Sequence, residues 1–410
     1  MKQNFSCCFL FVLFFFSSCG EITTNTTRAP TPTQNNPATD RTPATSADLN
    51  HPAGNTAIVL GANFTDPVGS LNLLSINSPH TAATNLQTTH SDASVYSFGN
   101  QLYVVNHLGA DNIQIVNPTN FSVTKQCSVG RGTNPQQIIV TASDKAFVSL
   151  YQPDQNSSMG LHVDDLIVVN PSADSCNDFI THTIDLTPLT TDDGDRFARA
   201  SAMVMIEKNL YVALQDLPGD LSHPANQLGK IAVIDAETNE IIRTIGLQGR
   251  NPVAMDYSPI TKRIYVGDVD YFYSISDFGG IEVVNPETSQ SEGFLISKTT
   301  LGGSPADMEV YHSKGFVAVG LFDAITNTYG TKVVSFNLTP NSDLELNELY
   351  RSAGYIQDIA VDQNGILLIG DQHPTVNGIL FVDPVSHQVV GGPIHLGAAP
   401  SSITFIERGS

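Results

Sequence analysis

The sequence predicts an all-β fold, a seven-bladed β-propeller of four-stranded antiparallel blades, on three observations. An apolar strand that ends in Asn or Asp and then turns recurs seven times, at Asn77, Asn117, Asn170, Asp235, Asn285, Asn337 and Asp383, with 40 to 65 residues between anchors. A repeat of about 40–50 residues holding several short strands is the period of a propeller blade. The segments between anchors are rich in β-branched and aromatic residues and punctuated by Gly, Asn and Asp, which favours short strands over helices. The two chain ends complement each other. Ala57-Ile58-Val59-Leu60 reads as a blade lacking its inner strand, and Ser402-Ile403-Thr404-Phe405-Ile406 as an inner strand lacking its blade. Pairing them closes the ring and removes both open sheet edges.

The elements follow in chain order. Lys2 and the apolar run Cys7–Phe16 have the form of a secretory signal, too short to span a bilayer. Phe16-Ser17-Ser18-Cys19-Gly20 resembles a bacterial lipobox, with Phe16 where Leu is usual. It predicts a signal peptide over 1–18 and lipidation at Cys19; an ordinary signal cleavage near Ser18 is the alternative. Residues 19–55, rich in Thr, Pro and Asn, lack the apolar content to offset the entropy of ordering and read as a tether. The propeller is assigned to 56–410. Blade two shows the pattern best, in strands Ser94–Ser97, Gln101–Asn106, Asn112–Asn117 and Val123–Gln126. The closing Asn or Asp suits a turn because its side chain accepts a hydrogen bond from the backbone two residues on. Pro often comes next, as in Asn117-Pro118 and Asp383-Pro384, where its fixed φ fits a turn.

Charge and composition narrow the function classes. With 19 basic against 40 acidic residues, net −21, the chain repels phosphate backbones and anionic membrane surfaces, so no nucleic-acid partner is expected and the membrane is reached through the lipid only. A monomer is expected. Cys127 and Cys176, outside the reducing cytoplasm, are either a disulfide between neighbouring blades or two buried thiols.

Leu102-Tyr103-Val104-Val105-Asn106 followed by Asp111-Asn112-Ile113-Gln114-Ile115-Val116-Asn117 resembles the YVTN repeat of bacterial propellers similar to YncE, as do Lys262–Val266 and Gly229–Asp235. The resemblance covers blades two to seven. It implies a secreted or surface-attached binding protein and carries over no catalytic residues.

Propeller sites usually lie at one mouth of the channel. Loops of unusual length run from Tyr151 to Asp165, Asp216 to Leu228 and Asp268 to Gly279, and such loops are functional or mobile. The third holds Asp268, Asp270, Tyr271, Phe272 and Tyr273, a candidate partner-binding rim unless the rings pack back on the next blade. Arg131 and Arg250, equivalent in blades two and four, suit a ligand carboxylate or a salt bridge to a neighbouring loop. Aligning the inner strands on their Pro places Ser94, Gln137, Ala202, Ala254, Asp307, Asp358 and Ser402 at one level. Asp307 and Asp358, with Asp371 and His373 of blade seven, form a candidate site for a divalent cation or for acid and base work, although Asp at strand ends also caps turns. No cofactor is firmly implied.

The expected function is a lipoprotein in the bacterial envelope, in the outer membrane rather than the inner, displaying its propeller as a binding or scaffold module for an envelope protein or extracellular ligand, without catalysis. The alternative is a periplasmic propeller enzyme, either a lactonase-like hydrolase with a metal at the channel mouth or a quinone-dependent dehydrogenase. The absence of Trp, on which a quinone would normally stack, counts against the last.

Overall fold

The computed structural model describes residues 55–63, 66–152, 165–191, 197–218, 227–271, 277–323, 325–338 and 344–406. Residues 1–54, Cys19 among them, lie outside that set, as do Phe272 and Tyr273. The described strands form seven four-stranded sheets, each antiparallel throughout, arranged as a seven-bladed propeller. Blade two runs outward from the axis as Ala93–Phe98, Gln101–Asn106, Asn112–Val116 and Val123–Ser128. The inner strands of blades three to seven are Pro135–Ala142, Ala200–Ile206, Pro252–Ser258, Ser304–Tyr311 and Ile356–Val361.

Blade one is shared between the chain ends. Its inner strand, Ala399–Phe405, pairs with Thr56–Ala62, with Ala57 opposite Phe405 and Val59 opposite Ile403. Neither terminal strand is thereby left outside a four-stranded sheet, which is the physical reason for the split.

Packing follows from strand periodicity. Alternate residues point to opposite faces of a blade, so Leu102 and Val104 join the core with blade one while Tyr103 and Val105 join the core with blade three. Seven such apolar clusters fill the seven interfaces between blades. Second strands are buried on both faces and read as near-continuous apolar runs. Outer strands such as Val123–Ser128 keep mostly polar, exposed residues. The Asx turns form as the residue types require: the side chains of Asn117, Asn170, Asp235, Asn285 and Asp383 each accept the N–H two residues on, at 2.8–3.0 Å. Cys127 on the outer strand of blade two is disulfide-bonded to Cys176 of blade three.

Candidate functional site

The inner strands enclose a channel of about 570 Å³, lined at its mouth by Ser94, Gln137, Ala202, Ala254, Asp307, Asp358 and Ser402. Several of these side chains tie one blade to the next. The N–H of Ile359 donates to Asp307 Oδ2 at 2.8 Å, that of Ile403 to Asp358 Oδ2 at 2.6 Å, that of Val95 to Ser402 Oγ at 3.1 Å and that of Met203 to Gln137 Oε1 at 2.6 Å. In each pair the donor is the residue after the mouth position of the next blade. An inner strand is a sheet edge with N–H groups lacking a ladder partner, and these side chains satisfy them.

Asp256 and Glu309, two residues further along their strands, extend the acidic wall. Asp256 accepts the N–H groups of Val310 and Tyr257, both at 2.7 Å. Burial pushes Asp256 and Asp307 up to about 6, against the lowering effect of these backbone bonds. Burial, and then the charge of Asp307, hold Asp358 well above the usual carboxylate range; burial and the surrounding acids do the same for Glu309. Asp307 and Asp358 are thereby both biased toward the protonated, neutral form.

The opposite side of the mouth carries a different arrangement. Asp92 Oδ1 lies 2.7 Å from His107 Nδ1, and His107 Nε2 lies 3.1 Å from Ser94 Oγ. Asp92 and His107 are each 6% exposed, while Ser94 is half-buried, and all three line the channel. A carboxylate can only accept, so Asp92 fixes the Nδ1–H tautomer and leaves the Nε2 lone pair facing the serine hydroxyl. This is the nucleophile, base and orienting acid geometry of acyl transfer. Tyr96, two residues along the strand from Ser94, donates to the Gln136 carbonyl at 3.5 Å; burial pushes its hydroxyl up, Ser94 opposes the shift, and the Asp358 and Asp307 charges add to it. Its hydroxyl therefore stays protonated.

The other predicted residues are placed as follows. Asp371 is buried outside the channel, its carboxylate accepting from Ser352 Oγ at 2.6 Å and Tyr350 Oη at 2.8 Å. The His373 Nδ1 accepts from the Thr375 and Val376 N–H groups at the surface. The structure therefore separates this pair from Asp307 and Asp358, and among the described residues no three His, Cys, Asp or Glu side chains converge to hold a metal ion. The four residues do not fit a shared cation. Asp268 is fully buried and held well above the usual range by burial and then by Glu282. Arg250 stacks at 3.8 Å on Phe278 and reaches Asp270 at 3.5 Å. That is the salt bridge to a neighbouring loop. Arg131 is exposed. Tyr271 is 41% exposed, and its carbonyl accepts from Lys298.

The sequence reading missed Asp92 and His107 and gave Ser94 only a place in the repeat. The signal was present. Blade two pairs Ser94 with Val105 and Ala93 with Asn106, and one more step of that ladder sets Asp92 opposite His107.

No protein-family model matches the chain, and no curated protein matches it. Solved structures do. A candidate 6-phosphogluconolactonase of Bacteroides uniformis is similar at a TM-score of 0.59, 12% identity, over 86% of this chain and 99% of that one. The periplasmic gluconolactonase of Pseudomonas aeruginosa is similar at 0.55 and 13% identity, over 86% and 98%. Hydrazine synthase of Kuenenia stuttgartiensis is similar at 0.52 and 16% identity, over 74% and 80%. These likenesses establish a propeller fold found in bacterial proteins, and one fold hosts several chemistries. The expectation of a display module without catalysis is nevertheless corrected. Neighbours named as lactonases, together with a Ser–His–Asp relay in the channel mouth, support the hydrolytic alternative instead.

Proposed function

We propose that this propeller is a hydrolase of lactones or related esters, and the observation that carries the reading is the Asp92–His107–Ser94 relay open to the channel. His107 Nε2 takes the Ser94 proton as Oγ adds to the lactone carbonyl carbon. Cleavage of the ring C–O bond releases an alkoxide that takes the proton from His107 and leaves a hydroxyacyl ester on Ser94. Water then adds through the same base, the Ser94 oxygen leaves with the proton, and a hydroxy acid is the product. The mechanism needs no metal ion at Asp307 and Asp358. Ser94→Ala is expected to lower kcat/KM for gluconolactone by about 10³-fold or more with the fold intact by circular dichroism; unchanged turnover would refute the assignment.

The same proposal places the enzyme in the bacterial envelope, held by a lipid at Cys19 ahead of the Thr/Pro/Asn-rich segment, with the YVTN-like strands as its scaffold. Cys19→Ser is expected to release the protein from the membrane fraction, and continued membrane association would remove the anchor from the reading.

A further inference from the structure

The channel wall bears on which lactone this site takes. Five of its lining residues are acids, Asp92, Asp256, Asp307, Glu309 and Asp358, and none of the described lining residues is Lys or Arg. Four cations of the described blade ends have backbone or acidic partners, while Arg131 on the loop into blade three is exposed and outside the lining. Arg199 donates to the Leu217 and Tyr151 carbonyls at 3.2 and 3.4 Å. Arg250 is held between Phe278 and Asp270. Lys298 is fully buried, donating to the Val269 carbonyl at 2.7 Å, and Lys230 reaches Asp216 at 2.8 Å.

From this lining we propose that the substrate is an uncharged, hydroxyl-rich lactone and that its phosphorylated counterpart is rejected. The proposal deepens the hydrolase reading and rests on it. A phosphate dianion brings only acceptors and negative charge, and the wall opposite Ser94 answers with carboxyl oxygens of the same kind. Sugar hydroxyls bring donors and acceptors together. Carboxyls held in place by the N–H groups of Ile359, Ile403 and Val310 are fixed acceptors for them. Burial biases Asp307 and Asp358 toward their neutral forms and lowers the net charge of the wall, which suits a neutral polyol better than a cation.

Two measurements on the full chain test this. The first compares kcat/KM for gluconolactone and for its 6-phosphate, with the neutral lactone favoured by about tenfold or more. In the Asp307→Asn/Glu309→Gln double variant, which leaves Asp92, Ser94 and His107 in place, that preference is expected to narrow. Equal or better turnover of the phosphate ester by the wild type overturns the proposal while leaving the hydrolase reading standing. The second uses the Ser94→Ala protein and calorimetric binding of the polyol glucitol and of glucitol 6-phosphate, so it holds even if neither lactone is cleaved and the hydrolase reading falls. Glucitol is expected to bind the more tightly. Equal or tighter binding of the phosphate overturns the proposal.

Discussion

The two sides of the channel mouth are built from one repeat and put it to different uses. On blades six, seven and one, the repeated position carries Asp307, Asp358 and Ser402, and each spends an oxygen on the backbone of the next blade. On blade two the equivalent residue, Ser94, faces His107 instead. The difference begins in the inner strand. Six blades carry a register shift at the mouth position. Such a bulge re-aims side chains and ends regular pairing. Blade two pairs without a shift, and it has Asp92 where blades three, five, six and one have Pro135, Pro252, Pro305 and Pro400. Regular pairing sets Asp92 against His107, and the His107 N–H donates to the Asp92 carbonyl at 3.0 Å. The proposed relay sits where the repeat is broken, and the acids that follow the repeat also join one blade to the next.

If that contrast is right, damage on the two sides should look different. On blade two the largest loss is expected from His107→Gln, about 10³-fold or more in kcat/KM, with little change in unfolding midpoint. Asp92→Asn is expected to cost a comparable factor by favouring the wrong imidazole tautomer. If either variant lost stability and activity in proportion, the relay would be a brace for the strand ends and the contrast would collapse.

Between blades two and three, the Cys127–Cys176 disulfide closes a separation of 49 residues. The chain-entropy relation gives such a crosslink about 4 kcal/mol of stability. The Cys127→Ala/Cys176→Ala variant should show most of that loss in denaturant unfolding, with kcat for the remaining folded protein unchanged. A fall in kcat beyond the unfolded fraction would mean that the blade-two geometry depends on the crosslink.

Much of this fold was legible because strand alternation, Asx turns and the split blade all follow from local residue types. Asn117 and Asp383 announce their turns, and Ala57–Leu60 and Ser402–Ile406 announce the closure. The mouth register was legible too, since the Pro alignment named all seven residues at that level of the channel. The relay was harder to read because it joins residues from two strands, and only the hairpin register of blade two brings them together. Asp371 and His373 were misjudged for a related reason. They lie at the end of the second strand, where Tyr350 and Ser352 from the outer strand of blade six hold Asp371, a contact between blades that no repeat pattern encodes.

On the acidic side the expected effects concern stability and pH. Asp358→Ala leaves the Ile403 N–H without its side-chain acceptor and should cost about 1–3 kcal/mol, whereas Asp358→Asn keeps an acceptor oxygen and should cost less. The pH dependence separates the two roles further. Unfolded, these carboxyls release their protons near pH 4; folded, Asp256 and Asp307 hold theirs to about pH 6, and Asp358 and Glu309 are likewise held well above the usual range. The folded chain therefore binds more protons across that window. The cluster's contribution to stability is complete below about pH 4 and is lost as the pH rises through 6 and beyond. Urea midpoints measured from pH 4 to 8 should show this decline, and Asp358→Asn should flatten it by removing one proton-holding group and the charge beside Asp307. An unchanged slope in that variant would mean that solvent in the channel already screens the pair, and the acidic wall would then act through its hydrogen bonds to the neighbouring blades rather than through its charge.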